Sequence, residues 1–325
     1  MQALVLTNNG PELLTDVSIP TPGPNEALIK VRIAGICSTD LQLMAGYKGG
    51  YRGVLGHEFV GEVVAAPDDP AWIGQRVVGE LNIGCGNCDL CERGLHKHCR
   101  QRQSLGIIRR DGAFAEYLTL PASNLHAVPD DLSDEEAVFC EPLAAALQIL
   151  EQVQIRPDSK VYVLGDGRLG LLVAQVLAQT QCDLTIFGRH TDKLAILSEQ
   201  GISQTVVVTP DMEGESCLAA DIVVEVTGSP SGFAMAHRLV RPGGTLILKS
   251  TFASPLTMFD ISSLVVDEIT VMGSRCGPFA PALRMLARGD IAVKPLIHTR
   301  YSLDDGAAAL EYAGSRGVLK VLLSM

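Results

Sequence analysis

Nowhere does the sequence carry about 18 consecutive apolar residues, the run a membrane-spanning helix needs, so a transmembrane protein is not expected. No basic segment leads into an apolar core at its start. MQALVLTNNG reads as a strand entering a turn, so export is not expected either, and the cytoplasm is the expected location. Positive charge is scarce: 26 Lys and Arg stand against 37 Asp and Glu, a formal net charge of −11. A chain of that sign has little with which to neutralise phosphates, which argues against nucleic acid as a partner. Repeats and low-complexity segments are also missing, which excludes solenoids and disordered linkers. What remains is 325 residues, 47% hydrophobic and 19% charged, enough to bury the cores of two globular domains that act on small molecules.

Up to about residue 130 the chain is a succession of short β-type runs (ALVLT, EALIKVRI, EFVGEVVA, QRVVGE) broken by Pro and Gly, the pattern of a small irregular β-barrel. At Ser133 the rhythm changes. SDEE offers a capping box in which Glu136 reaches back to the N-cap, and Pro142 is placed to open a further helix. From Lys160 strand and helix alternate through KVYVLG, LGLLVAQVLAQ, DLTIFG, TDKLAILSEQ, TVVV, DIVVEVTG, a helix near residues 231–240 and TLILKS. That alternation predicts an α/β fold with a parallel, doubly wound sheet. Beyond about residue 275 a helix (PALRMLARG), a β-type run (PLIHTRY), a helix capped near Ser302 and a last strand VLKVLL follow.

Gly165, Gly167 and Gly170, with Arg168 and Leu169 between the last two, form GDGRLG directly after a strand and before a helix. One glycine turns the chain, the next admits a pyrophosphate close to backbone, and the third lets helix and strand pack, so this is a candidate dinucleotide site. An acidic residue at the end of the following strand would select NAD by bonding the ribose hydroxyls; here the position is Gly188, followed by Arg189 and His190. A guanidinium beside a small residue suits a 2′-phosphate, which favours NADP(H) over NAD(H). Asp192, a few residues on, keeps NAD(H) open.

Nine cysteines, an odd number, are better explained in a cytoplasmic chain by metal or catalysis than by disulfides. Cys85, Cys88, Cys91 and Cys99 follow CxxCxxCx7C in a polar, Gly-rich loop, the donor set of a closed structural zinc site. Iron–sulfur ligation shares the same ligand type. His96 and His98 within the loop are expected to be exposed, and Cys182, Cys217 and Cys276 to be structural.

Taken in order, GICSTDL (35–41), GHEFVGEV (56–63), the four-cysteine loop, CEPL (140–143) and GDGRLG resemble the zinc-containing medium-chain alcohol/polyol dehydrogenases, over essentially the whole chain. The resemblance implies a GroES-like β-barrel catalytic domain from residues 1–145 and 276–325, with a Rossmann domain, 146–275, inserted in it. It implies a catalytic zinc site built from Cys37, His57, Glu58 and Glu141, with Glu58 also placed in the catalytic set and Glu141 favoured over its neighbour Cys140 as the carboxylate or thiol that completes the site. It places Thr39 against the substrate oxygen and Asp40 behind the ligating histidine. One departure stands out. Where many members carry a proton-relaying histidine three residues after the hydroxyl residue, this chain has Gln42, which cannot titrate. The implied activity is hydride transfer between an alcohol or polyol, or its aldehyde or ketone, and NADP(H). The alternatives are an NAD(H)-linked enzyme of the same type and a catalytically silent NADP(H)-binding sensor. The span Met44–Leu55 is implied to line the substrate approach, and a homodimer or homotetramer is the implied assembly.

Overall fold

The computed structural model describes residues 1–47, 50–209, 212, 219–251 and 261–325; Cys217, and Lys48 and Gly49 of the Met44–Leu55 span, lie outside them. The chain divides into two units, Met1–Glu141 together with Phe279–Met325, and Pro142–Pro278.

The first unit is organised around the strand Glu26–Gly35, in which Ala27, Ile29, Val31 and Ile33 alternate into the core. On one edge it pairs antiparallel with Glu58–Ala65; on the other, Tyr117–Pro121 pairs with its first half and the C-terminal strand Lys320–Ser324 with its last residues. Lys320–Ser324 in turn pairs in parallel with Ile297–Ser302. The two ends of the chain therefore share one seven-stranded sheet. At Ser133 the capping box is formed: Ser133 Oγ accepts from the Glu136 N–H at 3.3 Å, and Glu136 Oε2 accepts from the Ser133 N–H at 3.2 Å. The next helix, Cys140–Gln152, begins two residues before Pro142 rather than at it. Proline is harmless there because N–H groups of a first turn have no partner within the helix.

The second unit is a six-stranded parallel sheet in the order Thr205–Val207, Asp183–Gly188, Lys160–Leu164, Ala220–Glu225, Val240–Leu248, Thr270–Gly273. Numbered along the chain this is 3-2-1-4-5-6, the doubly wound arrangement, whose crevice opens at the carboxyl ends of the first and fourth strands. Strands such as VYVL are apolar throughout because helices cover both faces of such a sheet. The helix Arg168–Ala178 is buried continuously from Gly170 to Leu177, and Tyr162 meets Phe187 edge-on at 5.1 Å in the core. Among the described residues no helix is long and apolar enough to cross a membrane.

Candidate metal centres and dinucleotide site

Strand ends assemble the first centre. Cys37 follows Glu26–Gly35 and is the N-cap of the helix Ser38–Met44; His57 and Glu58 stand where Glu58–Ala65 begins. Antiparallel register sets Glu58 opposite Gly35, and the ligand atoms of Cys37, His57 and Glu58 lie within 4.8 Å of one another. Only glycine fits at residue 35: a Cβ there would come 2.5 Å from Glu58 Oε2. Asp40, fully buried, accepts from the Cys37 N–H at 2.8 Å through Oδ2, and its Oδ1 is 3.5 Å from His57 Nδ1. Thr39 Oγ1 stands 3.8 Å from the Cys37 sulfur.

This group of side chains fits a divalent cation. Asp40 Oδ1 and His57 Nδ1 face each other at 3.5 Å, whereas Glu58 Oε1 is buried and makes no hydrogen bond among the described residues, a costly condition unless a positive charge faces it. The other Glu58 oxygen, Oε2, is held by Lys320 Nζ, which also reaches Ile36 O at 3.4 Å and lies 5.7 Å from the centre of the Phe139 ring. Burial opposes a charged imidazole at His57, yet Asp40 and Cys37 outweigh it and hold its pKa well above the ordinary range, so the surroundings draw positive charge. Thiolate, imidazole and carboxylate are zinc donors.

Glu141 does not join this set, and neither does Cys140. The Cys140 thiol is buried, donates to Phe279 O at 3.7 Å, and is pushed well above its ordinary pKa by burial and then by Glu141 and Glu80. Among the described residues the structure gathers Glu58 beside Cys37 and His57. Lys320 went unnoticed in the sequence, although a lone charge inside the apolar run VLKVLL was its signal.

The second centre is the cysteine lobe. Cys85, Cys88, Cys91 and Cys99 also have their sulfurs within 4.8 Å of one another, carried by a short helix, Asp89–Glu92, and a turn, His96–His98. His96 and His98 are exposed, and the eight described cysteines are all free thiols. Cys99 Sγ accepts from the Cys85 N–H at 3.4 Å. The backbone N–H of Cys91 leads the groups that bring the Cys88 thiol down to about 6, while burial takes Cys91 up to about 11. Four sulfurs this close cannot all ionise without a cation between them, which is the chemistry of a closed zinc site.

The glycine-rich turn builds the third site. Gly165 has φ +129°, and a Cβ on it would stand 2.8 Å from Val226 O; one on Gly170 would stand 2.0 Å from Gly165 O. Gly167 caps the helix Arg168–Ala178 and faces open space, which lets a pyrophosphate approach the helix N-terminus with Arg168 and Leu169 in its first turn. A cavity of about 250 Å³ runs from this turn past Gly188, exposed Arg189 and His190 to Thr227. Thr227 is fixed by buried Glu225, whose Oε1 accepts from its N–H at 2.7 Å. Asp166 is the residue that sequence reasoning passed over, because it occupies a variable position of the glycine motif. Its Oδ2 accepts from the N–H groups of Arg189 and His190 at 2.7 Å each. Burial would raise its pKa, but His190 and these two N–H groups lower it.

Comparison with known proteins places the chain in a family. Residues 23–130 match the family described as Alcohol dehydrogenase GroES-like domain, and residues 169–288 match Zinc-binding dehydrogenase. A sorbitol dehydrogenase of Halalkalibacterium halodurans is 30% identical over 342 residues, covering 100% of this chain and 99% of that protein. Among solved structures, a zinc-binding dehydrogenase from Sinorhizobium meliloti 1021 bound to NADP is 30% identical, with a TM-score of 0.91, over 100% of this chain and 99% of that one. An alcohol dehydrogenase from Escherichia coli CFT073, complexed with cofactor NADH, is 26% identical with a TM-score of 0.91 over the same shares.

Proposed function

Because this chain belongs to the zinc-containing medium-chain alcohol/polyol dehydrogenases, we propose that it transfers a hydride between an alcohol or polyol, or its carbonyl counterpart, and NADP(H). The observation that carries this reading is the Cys37–His57–Glu58 group, in which Glu58 Oε1 is buried and makes no hydrogen bond among the described residues. Cys37, His57 and Glu58 would hold a catalytic zinc, and the four-cysteine lobe a structural one. When bound, the catalytic zinc supplies a Lewis acid for the substrate oxygen and the nicotinamide exchanges the hydride. The chain's own side chains do the rest. Asp40 orients His57 through Nδ1, leaving Nε2 as the ligating nitrogen. Lys320 holds one oxygen of Glu58 and leaves the other free. Thr39, beside the Cys37 sulfur, is placed to hydrogen-bond a substrate hydroxyl and take its proton onward, a task Gln42 cannot share.

NADP(H) is favoured because Gly188 leaves the strand end without its own acidic side chain and Arg189 is exposed at the cavity. Exposed Ile261, Val265 and Val266 on the helix Ile261–Val266, with Val271 on the edge strand, support pairing of two copies through that edge, as a dimer or within a tetramer. The cytoplasm fits this chemistry.

The test is to titrate zinc-loaded protein with NADP(H) and NAD(H) while short-chain alcohols, polyols and matching aldehydes are screened for absorbance change at the nicotinamide band. Turnover that prefers NADP(H) and disappears in Cys37→Ala is expected. Tight cofactor binding without turnover on any class would turn the reading to a silent sensor.

A further inference from the structure

A dinucleotide-binding sheet presents an acidic side chain to the adenosine ribose at the end of its second strand, and the strand Asp183–Gly188 ends in glycine. The space is nonetheless filled by a carboxylate. A Cβ on residue 188 would stand 2.8 Å from both Cβ and Oδ2 of Asp166, so the glycine-rich turn delivers its side chain into the volume that a strand-end residue would take. Asp166 is 8% exposed, and besides the two backbone N–H groups its Oδ2 faces His190 Nδ1 at 3.0 Å. An ionised carboxylate only accepts, so Nδ1 carries the hydrogen, and Nε2 is the nitrogen at which a proton comes and goes. Nε2 is buried and makes no hydrogen bond among the described residues, and His190 lines the same cavity as Gly165, Gly167 and Arg189.

Asp166 and Arg189 line the cavity with His190, while Asp192 and Lys193 follow it in the first turn of Thr191–Glu199 and Arg168 opens the helix after the glycine-rich turn. Among the described residues, Asp166 is the one that ion-pairs with it.

We propose that Asp166 and His190 form a proton-gated selector of the cofactor: with an imidazolium the pair is neutral overall and donates to the 2′-phosphate of NADP(H), with a neutral imidazole it is an anion that repels that phosphate, and the 2′-hydroxyl of NAD(H), able both to donate and to accept, is held by either form. This rests on the dinucleotide-binding reading above. Binding a phosphate draws a proton onto Nε2, whereas binding a hydroxyl does not. Arg189 attracts the phosphate at every pH, so NADP(H) weakens rather than disappears as the imidazole loses its proton. The phosphate's own second ionisation, near roughly pH 6, pulls in the opposite direction and cannot imitate the effect.

Isothermal titration of the zinc-loaded full chain with NADP⁺ and with NAD⁺, between pH 6.5 and 8.5 and in buffers of different ionisation enthalpy, tests it. The expected results are a rise in Kd for NADP⁺ of about tenfold across that range, net proton uptake with NADP⁺, and a flat profile with no uptake for NAD⁺. His190→Asn, which keeps a donor for Asp166 but has no Nε2, removes both the slope and the uptake, and its unchanged binding of NAD⁺ shows that it is folded. Asp166→Asn, which loses the charge that supports the imidazolium, moves the fall in NADP⁺ affinity to lower pH. An NADP⁺ slope that survives in His190→Asn, or binding without proton uptake, overturns the selector. NAD⁺ preferred at every pH with slope and uptake intact overturns the NADP(H) preference and keeps the selector. Preference for NADP⁺ without slope does the reverse, and failure to bind either nucleotide overturns both.

Discussion

Lys320 and Glu58, 262 residues apart in the chain, form a buried ion pair whose side chains are 2% and 1% exposed. The pair ties the strand Lys320–Ser324 to the strand that presents the carboxylate proposed to hold the catalytic metal. Cys37 as thiolate, Asp40 and Glu58 bring three formal negative charges against this one ammonium, which leaves two for a divalent cation to neutralise.

Removing one member strands the other. Lys320→Met is expected to destabilise the fold by about 3–5 kcal/mol, since an uncompensated charge then stays buried, whereas Glu58→Gln combined with Lys320→Met recovers most of that loss. Urea unfolding of the three variants measures it. Equal losses in the single and double variants would mean that Lys320 matters for packing and not for charge.

The donor set predicts which substitutions release metal. Cys140→Ala is expected to keep two zinc ions per chain and turnover within about twofold, because its thiol only donates to a carbonyl. Glu58→Gln should weaken the catalytic zinc by at least about tenfold, and Glu141→Gln should leave occupancy unchanged. Elemental analysis after dialysis against a weak chelator reads all three; zinc lost from Glu141→Gln but kept by Glu58→Gln would reverse the assignment.

Protons and zinc compete for the same sulfurs in the cysteine lobe. Protonation of the four sulfurs opposes metal binding, so the lobe is expected to hold its metal at neutral pH and to release it on acidification. A chromophoric chelator followed during acidification shows this release. Cys91→Ser should lose one zinc per chain at pH 7 while the Cys37 centre keeps its own, and a variant still carrying two would show that the lobe is not a closed four-sulfur site.

Placing an acid at the strand end should not by itself produce an NAD-type site. Gly188→Asp collides with Asp166, so both dinucleotides are expected to bind about tenfold more weakly. Asp166→Ala together with Gly188→Asp moves the carboxylate to the strand and should restore NAD⁺ binding. Quenching of protein fluorescence on titration distinguishes the variants, and unimpaired binding by the single variant would show that Asp166 readily leaves the Gly188 face.

Much of this molecule is written in short stretches of sequence because the physics there is local. Four cysteines within fifteen residues reach one point without help from the rest of the chain. Ser133 and Glu136 satisfy each other's N–H groups across one turn, and Gly165 supplies the positive φ of the tight turn between strand and helix. The alternation of apolar strands and helices after Lys160 leaves a parallel, doubly wound sheet as the way to bury both faces. Other features belong to tertiary structure alone. That Lys320 meets Glu58 beside Cys37 and His57 follows from an antiparallel register that no local signal encodes. That Asp166 fills the space over Gly188 follows from parallel strands setting the glycine turn beside the next strand's end. Side-chain periodicity and turn chemistry decide what a segment becomes, but which distant charges come to share a buried site depends on register, and register is set by the packing of the whole sheet.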